Sequence, residues 1–450
     1  MTSLRWIHLA GVLNTRVARL IREIESLGLR VSYEARENKI VFISIKGREE
    51  VEVAEEELRP RIRDLLRELA KSEAVEYLRL YDLPLGEIPE EIGGLTNLRI
   101  LTLGYLSIRT LPESIGNLVN LEKLTISRSG LRTLPESFGN LVNLRHLEIE
   151  YTSLERLPES FGNLVNLEEL YLVDNELKSL PESFGNLKKL RLLDLSYNTL
   201  DTLPESFGGL SSLEELHICN NGLMRLPESI GNLKNLRKLD LEGGHLRSLP
   251  ESIGNLERLE VLEVYRNELV RVPESIGNLK NLQGLYLHDN NLTSLPESIG
   301  SLPNLLELDI SYNNLTSLPE SIGNLSNLEC LVARGNYLTD LPDSFRRLKK
   351  LETLYLHDNE FERLPECICD LVNLRFLDLH GNMLTTLPEC FSRLRNLESL
   401  DLRENRISEF PEVLFGLPKL KSLHLEGNPI CKDESKVREI EETLKCKVWC

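Results

Sequence analysis

The chain has 450 residues and a formal net charge of −18, with 71 acidic against 53 basic residues. That balance argues against nucleic acid as a partner, because such binding is driven by Lys and Arg neutralising phosphates. There is no run of about 18 apolar residues to span a bilayer, and eight cysteines in this length are too sparse for a disulfide scaffold. Near the start, Arg5, His8 and Arg16 interrupt a short apolar stretch, which makes a poor signal peptide, and the chain reads as cytoplasmic. Sequons at Asn291, Asn314 and Asn324 fall out of a repeating pattern and leave that reading unchanged.

Residues 1–74 do not repeat and read as a small N-terminal α/β unit or cap. Val17, Leu20, Ile21, Ile24 and Leu27 recur at helical spacing behind a cap at Asn14, and Gly28 closes that helix. Leu29, Val31 and Tyr33 then alternate with polar residues. So do Val41, Ile43 and Ile45 beyond a Glu37-Asn38 turn, predicting a β-hairpin continued by Val51 and Val53. A second helix starts near Pro60 and carries Ile62, Leu65, Leu66 and Leu69 on one face.

From residue 75 to 428 the chain is periodic. Leu-Pro-Glu-Ser-Ile-Gly-Asn-Leu, seen at Leu111–Leu118, returns every 23 residues, and fifteen prolines from Pro89 to Pro411 share one register. Between them runs Leu279-x-x-Leu282-x-x-Leu285-x-Leu287-x-x-Asn290-x-Leu292. This spacing is identified as the leucine-rich repeat signature. It implies an α/β solenoid, a right-handed horseshoe of about 16 parallel strands centred on Leu78, Leu101 and each 23rd residue to Leu423. Each proline is expected to preset φ at the first position of a short outer helix. The acidic residue after it meets that helix's N-terminus, and the glycine supplies a left-handed exit.

The asparagine at the ninth template position is expected to turn inward and satisfy loop backbone. It is missing at Leu83, Leu106, Ser129, Thr152 and Gly244. Ser129 and Thr152 are partial substitutes, and the first four rungs read as a distinct quarter packed on residues 1–74. Residues 429–450 form a C-terminal cap, with Val437, Ile440 and Leu444 on one helical face and Trp449 packing there.

No phosphate loop, nucleophile elbow, His-Glu-x-x-His or Cys-x-x-Cys pair is present, so neither enzyme nor cofactor is assigned. Cys367 and Cys390 share a template position in adjacent repeats, with Cys369 nearby, yet idle thiols are the reading. Cys431, Cys446 and Cys450 crosslink the tail only in an oxidising compartment. His357, Asp378 and His380 lie on neighbouring rungs but lack a third firm ligand, so no metal is assigned.

Variable residues fall at template positions three, five, seven, eight and ten, on the expected concave face, and tyrosine is concentrated there. Tyrosine anchors interfaces at little rotamer cost. The partner-binding set is Tyr171, Tyr197, Asp240, Tyr265, Tyr286, His288, Asp309, Tyr312, Tyr355, His357 and Asp358. An acidic, tyrosine-studded face calls for a protein partner with a basic patch.

The 23-residue repeat resembles that of the Ras-group leucine-rich repeat proteins, which include animal Ras-pathway scaffolds and plant intracellular relatives. The resemblance implies a cytoplasmic, non-enzymatic adaptor for a small GTPase or a phosphatase. Lys39-Ile40-Val41-Phe42 also fits the family's loose phosphatase-docking pattern, although its alternation reads as a strand. The alternative is a recognition module of an immune or pathogen-effector type, with residues 1–74 as its signalling part.

Overall fold

The computed structural model describes residues 15–37, 39–47, 53–444 and 446–450. The expected cap at Asn14, the turn residue Asn38 and the strand residue Val51 lie outside them. The chain divides into two compact units, Met1–Gly222 and Leu223–Cys450.

The first unit opens with helix α1 (Thr15–Ser26), which buries Val17, Leu20, Ile21 and Ile24. Gly28, at φ 87°, ends it. Strands β1 (Arg30–Arg36) and β2 (Lys39–Lys46) form the expected antiparallel hairpin. Lys39–Phe42 lies in β2, and Val53 precedes helix α2 (Glu55–Ala70) as coil rather than strand. Strand β2 pairs in parallel with β3 (Tyr77–Leu83), placing Ile43 opposite Leu78, so the hairpin supplies the edge rungs of the repeat sheet. Helix α2 buries Leu58, Ile62, Leu65, Leu66 and Leu69. Its Glu68, 4 % exposed, is paired with Lys71 at 2.7 Å and Arg16 at 3.2 Å. Arg67 reaches Glu91 of the first outer turn at 2.6 Å.

Sheet regularity follows the asparagines. Strands β3, β4 (Ile100–Leu106), β5 (Lys123–Ser127) and β6 (His146–Glu150) run five to seven residues. From Glu169–Tyr171 onward each repeat strand has three. The change falls where the asparagine column begins. Asn198 accepts a hydrogen bond from Leu177 N at 3.0 Å and donates to the carbonyls of Leu172 and Leu195 at 2.8 and 3.0 Å. In the first four rungs, which lack the asparagine, the strand continues, and Leu83 pairs with Leu106, whereas the Gly244 rung keeps a three-residue strand. Thr152 does substitute in part, its hydroxyl bonding Asn175, but the Ser129 hydroxyl is buried without a partner.

On the outer face, two sequence expectations are corrected. Each proline stands just before the turn, not within it: Pro112 has φ −68° and ψ 153°, and the 3₁₀ turn Glu113–Asn117 begins after it. The following glutamate serves the next rung, as where Ser114 N donates to Glu90 Oε2 at 3.2 Å. The repeat glycines are not left-handed exits either. A Cβ on Gly116 would sit 2.4 Å from Ser137 O and 2.8 Å from Ser137 Cβ, so glycine is required by close approach. Inside, Phe138, Phe161, Phe184 and Phe207 stack nearly parallel at 6.0 to 6.1 Å between centroids, wholly buried.

The second unit repeats this plan from Lys238–Asp240 to Ser422–His424. Beyond it, helix α3 (Glu434–Leu444) buries Ile440, and the strand Lys447–Trp449 pairs in parallel with Ser422–His424. Trp449 stacks on His424 at 4.1 Å. The cysteine reading is also corrected. Cys369 takes the glycine position of one outer turn and Cys390 the serine position of the next, the same pair that meets at Gly116 and Ser137. They form a disulfide with Cα atoms 5.7 Å apart, while Cys367 stays a buried free thiol. A second disulfide joins Cys431 to Cys450 and leaves Cys446 free.

Asn313 accepts from Leu292 N and donates to the carbonyls of Leu287, Ile310 and Ser311. Asn313→Ala leaves those buried groups unmet and is expected to cost about 1–3 kcal/mol in urea unfolding. A cost within about 0.5 kcal/mol, the range of a surface substitution, would deny the asparagine its structural role.

Candidate functional site

The sheet face is shaped by backbone handedness at template position eight. In the first unit Asp82, Tyr105, Arg128, Tyr151, Asp174, Tyr197 and Asn220 all have φ between 49° and 58°. In the second, the same position holds Gly243, Arg266, Asp289, Tyr312, Gly335, Asp358, Gly381, Glu404 and Gly427, all with positive φ. A left-handed residue other than glycine costs about 1–2 kcal/mol. The kink turns the ninth residue toward the core, whether it is an asparagine or, at Leu83 and Leu106, a buried leucine. It throws the eighth side chain outward, and nothing in the sequence reading had singled this column out.

In the first unit the outward tyrosines are Tyr105, Tyr151 and Tyr197, the last 57 % exposed. Arg128 lies between two of them, its guanidinium 5.4 Å from the Tyr105 ring and 4.9 Å from Tyr151. Tyr171, a position-five residue, is only half-exposed, with its ring 5.5 Å from His146. Burial, then the Glu169, Asp194 and Glu215 carboxylates, push its phenol above the ordinary value.

In the second unit the selected residues fall into separate clusters. Tyr265 stacks on His288 at 4.2 Å and donates to Glu242 at 2.7 Å, and His288 Nδ1 stands 3.4 Å from Asp309. Tyr286 donates to Glu307. Tyr312, 43 % exposed, lies under the Arg334 guanidinium at 4.9 Å and covers Gly335, where a Cβ would be 2.5 Å from the ring. Tyr355 meets His357 edge-on at 6.2 Å, and His357 stacks on His380 at 4.3 Å. Asp378 lies against both histidines, at 3.2 Å from His357 Nδ1 and 2.8 Å from His380 Nδ1. Burial would raise the Asp378 carboxyl, but His357, the His380 backbone N–H and the His380 ring hold it down at about 2.

Two of the selected residues are not open to a partner. Asp240 is 8 % exposed and His357 6 %. His357, at position seven, packs against the Tyr355 and His380 rings, whereas Asp240 shares the duty of the position-five aspartates, which accept from the backbone N–H two residues on. Asp240 accepts from Glu242 N at 3.2 Å, and Asp309 from Ser311 N at 2.9 Å. Asp194, Asp378 and Asp401 do the same. These carboxylates brace the strand exit as Asx turns before they face anything else. In the left-handed column the exposed carboxylates are Asp82, Asp174, Asp289, Asp358 and Glu404.

A leucine-rich repeat region model matches residues 135–222, 216–290 and 284–366, and leucine rich repeat models match 386–430 and 373–394. A solved leucine-rich repeat protein of Leptospira interrogans is 34% identical over 84% of this chain and 91% of its own, with a TM-score of 0.69. The plant peptide hormone receptor RGFR1, solved in complex with RGF2, is 30% identical over 82% of this chain and 68% of its own, at a TM-score of 0.58. Drosophila Toll, solved with Spatzle, shares the fold at 24% identity and a TM-score of 0.70, over 81% of this chain and 52% of its own. No curated protein matches. The chain belongs to the leucine-rich repeat family, an architecture of protein–protein interaction.

Burial and the facing carboxylates, Glu242 and Glu307, push the phenols of Tyr265 and Tyr286 above their usual value near 10. Both favour the neutral folded form, so their contribution is complete below pH 10 and declines as pH rises beyond it. Absorbance titration at alkaline pH is expected to show a late-ionising set of tyrosines that shrinks in Y265F/Y286F. Superimposable curves would mean that neither hydrogen bond persists in solution.

Proposed function

We propose that this protein is a non-enzymatic binding module that holds a protein partner against the sheet face bearing the position-eight side chains. One observation carries the reading: Tyr105, Tyr151, Tyr197 and Tyr312 occupy left-handed positions where Gly, Asn or Asp costs less, and all four rings are exposed. Strain retained beneath exposed aromatic rings favours function over folding as its reason. Asp289, Asp358 and Glu404 in the same column favour a partner with a basic patch. RGFR1, complexed with a peptide hormone, supports protein or peptide as the ligand class. A small GTPase or phosphatase, met in the cytoplasm, is the particular partner that the Ras-group resemblance supports.

A second reading takes the chain as a recognition module in an oxidising compartment. The disulfides Cys369–Cys390 and Cys431–Cys450 favour it, since such bonds persist outside reducing cytosol. Alkylation of the natively expressed protein, denatured without reductant, separates the two. Four labelled cysteines, the free set Cys219, Cys330, Cys367 and Cys446, favour the oxidising compartment, and eight favour the cytoplasm.

The binding face is tested with the intact chain and the Y286A/Y312A variant as baits, followed by affinity measurement on each captured protein. Each tyrosine is expected to contribute more than about 1 kcal/mol, as interface anchors do. Unchanged affinity in the double variant would remove this face from consideration.

A further inference from the structure

We propose that the sheet face at strands β2 to β5 docks a short acidic segment of a protein partner, with Arg79 and Arg128 holding its carboxylates, a role that rests on the sheet face being the binding surface.

The parallel register builds a basic window on an acidic protein. Ser44 of β2, Arg79 of β3, Thr102 of β4 and Thr125 of β5 stand side by side at position five. Later rungs place Glu148, Asp194, Asp240 and Asp309 there. Lys46 lies opposite Tyr81, and Arg128 is turned outward at φ 49° in the left-handed column. Among the described residues, the face positions of these four strands carry Lys46, Arg79, Lys123 and Arg128 against the single carboxylate of Asp82. The whole chain, by contrast, has a net charge of −18.

Cations and rings alternate across the window. The Lys46 ammonium stands 5.4 Å from the Tyr81 ring and the Arg79 guanidinium 4.5 Å from it. Tyr81 meets Tyr105 at 5.0 Å between centroids, and Arg128 then bridges Tyr105 and Tyr151. An arginine drawn to the face of a ring keeps the N–H donors on its own planar edge for a carboxylate.

Elsewhere in the first unit the next rung neutralises an arginine. Arg99 holds Glu122 Oε1 through Nε at 2.9 Å and Nη2 at 2.8 Å, and Arg191 holds Glu214 at 2.9 Å. Among the described residues, Arg79 and Arg128 have ring contacts but no carboxylate. Arg79 is half-buried, and its Nε is covered without a hydrogen-bond partner. Part of its hydration is already lost in the free protein, so a carboxylate pairing with it meets a reduced desolvation cost.

The size of the window limits what fills it. From β2 to β5 the sheet advances about 14 Å, the reach of about four extended residues. On β6, Glu148 and Glu150 return the face to negative charge. Glu148 is engaged there, accepting from Thr125 Oγ1 at 3.4 Å and standing 3.7 Å from His146. A peptide with a few carboxylates suits so short a basic stretch, whereas a nucleic acid strand carries its charge onward into the acidic rungs.

The test is fluorescence anisotropy of the full chain with a fluorescein-labelled peptide of alternating Asp and Gly, the same peptide with Asn for Asp being the blank. Saturable binding that weakens with added salt is expected. R128Q, at an exposed position, should weaken it severalfold, and R79Q/R128Q by about tenfold or more, the weight of charge-assisted hydrogen bonds. R191Q, whose arginine is held by Glu214, serves as the control, and far-UV circular dichroism establishes that each variant is folded. If R79Q/R128Q unfolds, R128Q alone decides. Y286A/Y312A should bind the peptide as the intact chain does, which separates this window from the partner contacts tested in that variant. Absence of binding, equal binding of the blank, affinity unchanged by R128Q or lost in Y286A/Y312A, or tighter binding of an oligothymidylate than of the peptide overturns the site.

Discussion

The structure rests on one recurring hydrogen-bonding demand. At the end of the short strands the backbone leaves the sheet with polar groups pointing into a leucine core, and between repeats, at all but the Gly244 rung, an asparagine from the next rung answers them. Asn198, Asn221, Asn290 and Asn313 each accept one N–H and donate to carbonyls on two rungs. Leaving such groups unmet costs about 1–3 kcal/mol each, so the column tolerates few gaps. The residue before each asparagine is left-handed, as is the residue before Leu83 and before Leu106, so the kink belongs to the rung itself. The side chain of that residue is thereby turned out to solvent, so the turn that sends the ninth residue inward also sets which residues the protein displays.

That coupling sorts the polar residues of the sheet face into two groups. Position-five aspartates are consumed by the backbone of their own strand exit, as Asp309 is by Ser311. Position-eight residues carry no such duty and are the ones left for recognition. In the second unit the pattern is sharpened by what lies next in the column. Gly335 and Gly381 make room for the Tyr312 ring and the Asp358 carboxylate to lie across the following rung. The small residue and the large one are therefore parts of a single arrangement, one rung apart.

Most of the fold was legible because it is periodic. All sixteen strand centres from Leu78 to Leu423 lie in observed strands, and the N-terminal hairpin and helices stand where alternation and helical spacing put them. What escaped were relations offset by 21 or 24 residues instead of 23. Cys369 meets Cys390, and Glu90 meets Ser114, because adjacent outer turns contact each other diagonally. A template aligned column by column compares like positions and misses this diagonal. The burial of Asp240 and His357 was illegible for a related reason: alternation tells which side of a strand a residue takes, not how deeply its neighbours cover it. The left-handed column stayed hidden since only four of its residues are glycine, and Tyr, Arg and Glu give no local sign of positive φ.

Residue-resolved hydrogen exchange on the intact protein tests the central relation most directly. The amides of Leu177, Leu200, Leu269, Leu292 and Leu315, each donating to the asparagine of the following rung, should exchange as slowly as those of the strand leucines. The Leu223 amide, where Gly244 stands in place of that asparagine, should exchange faster. Exchange at loop rates throughout this set, with Leu223 indistinguishable from the rest, would contradict the account.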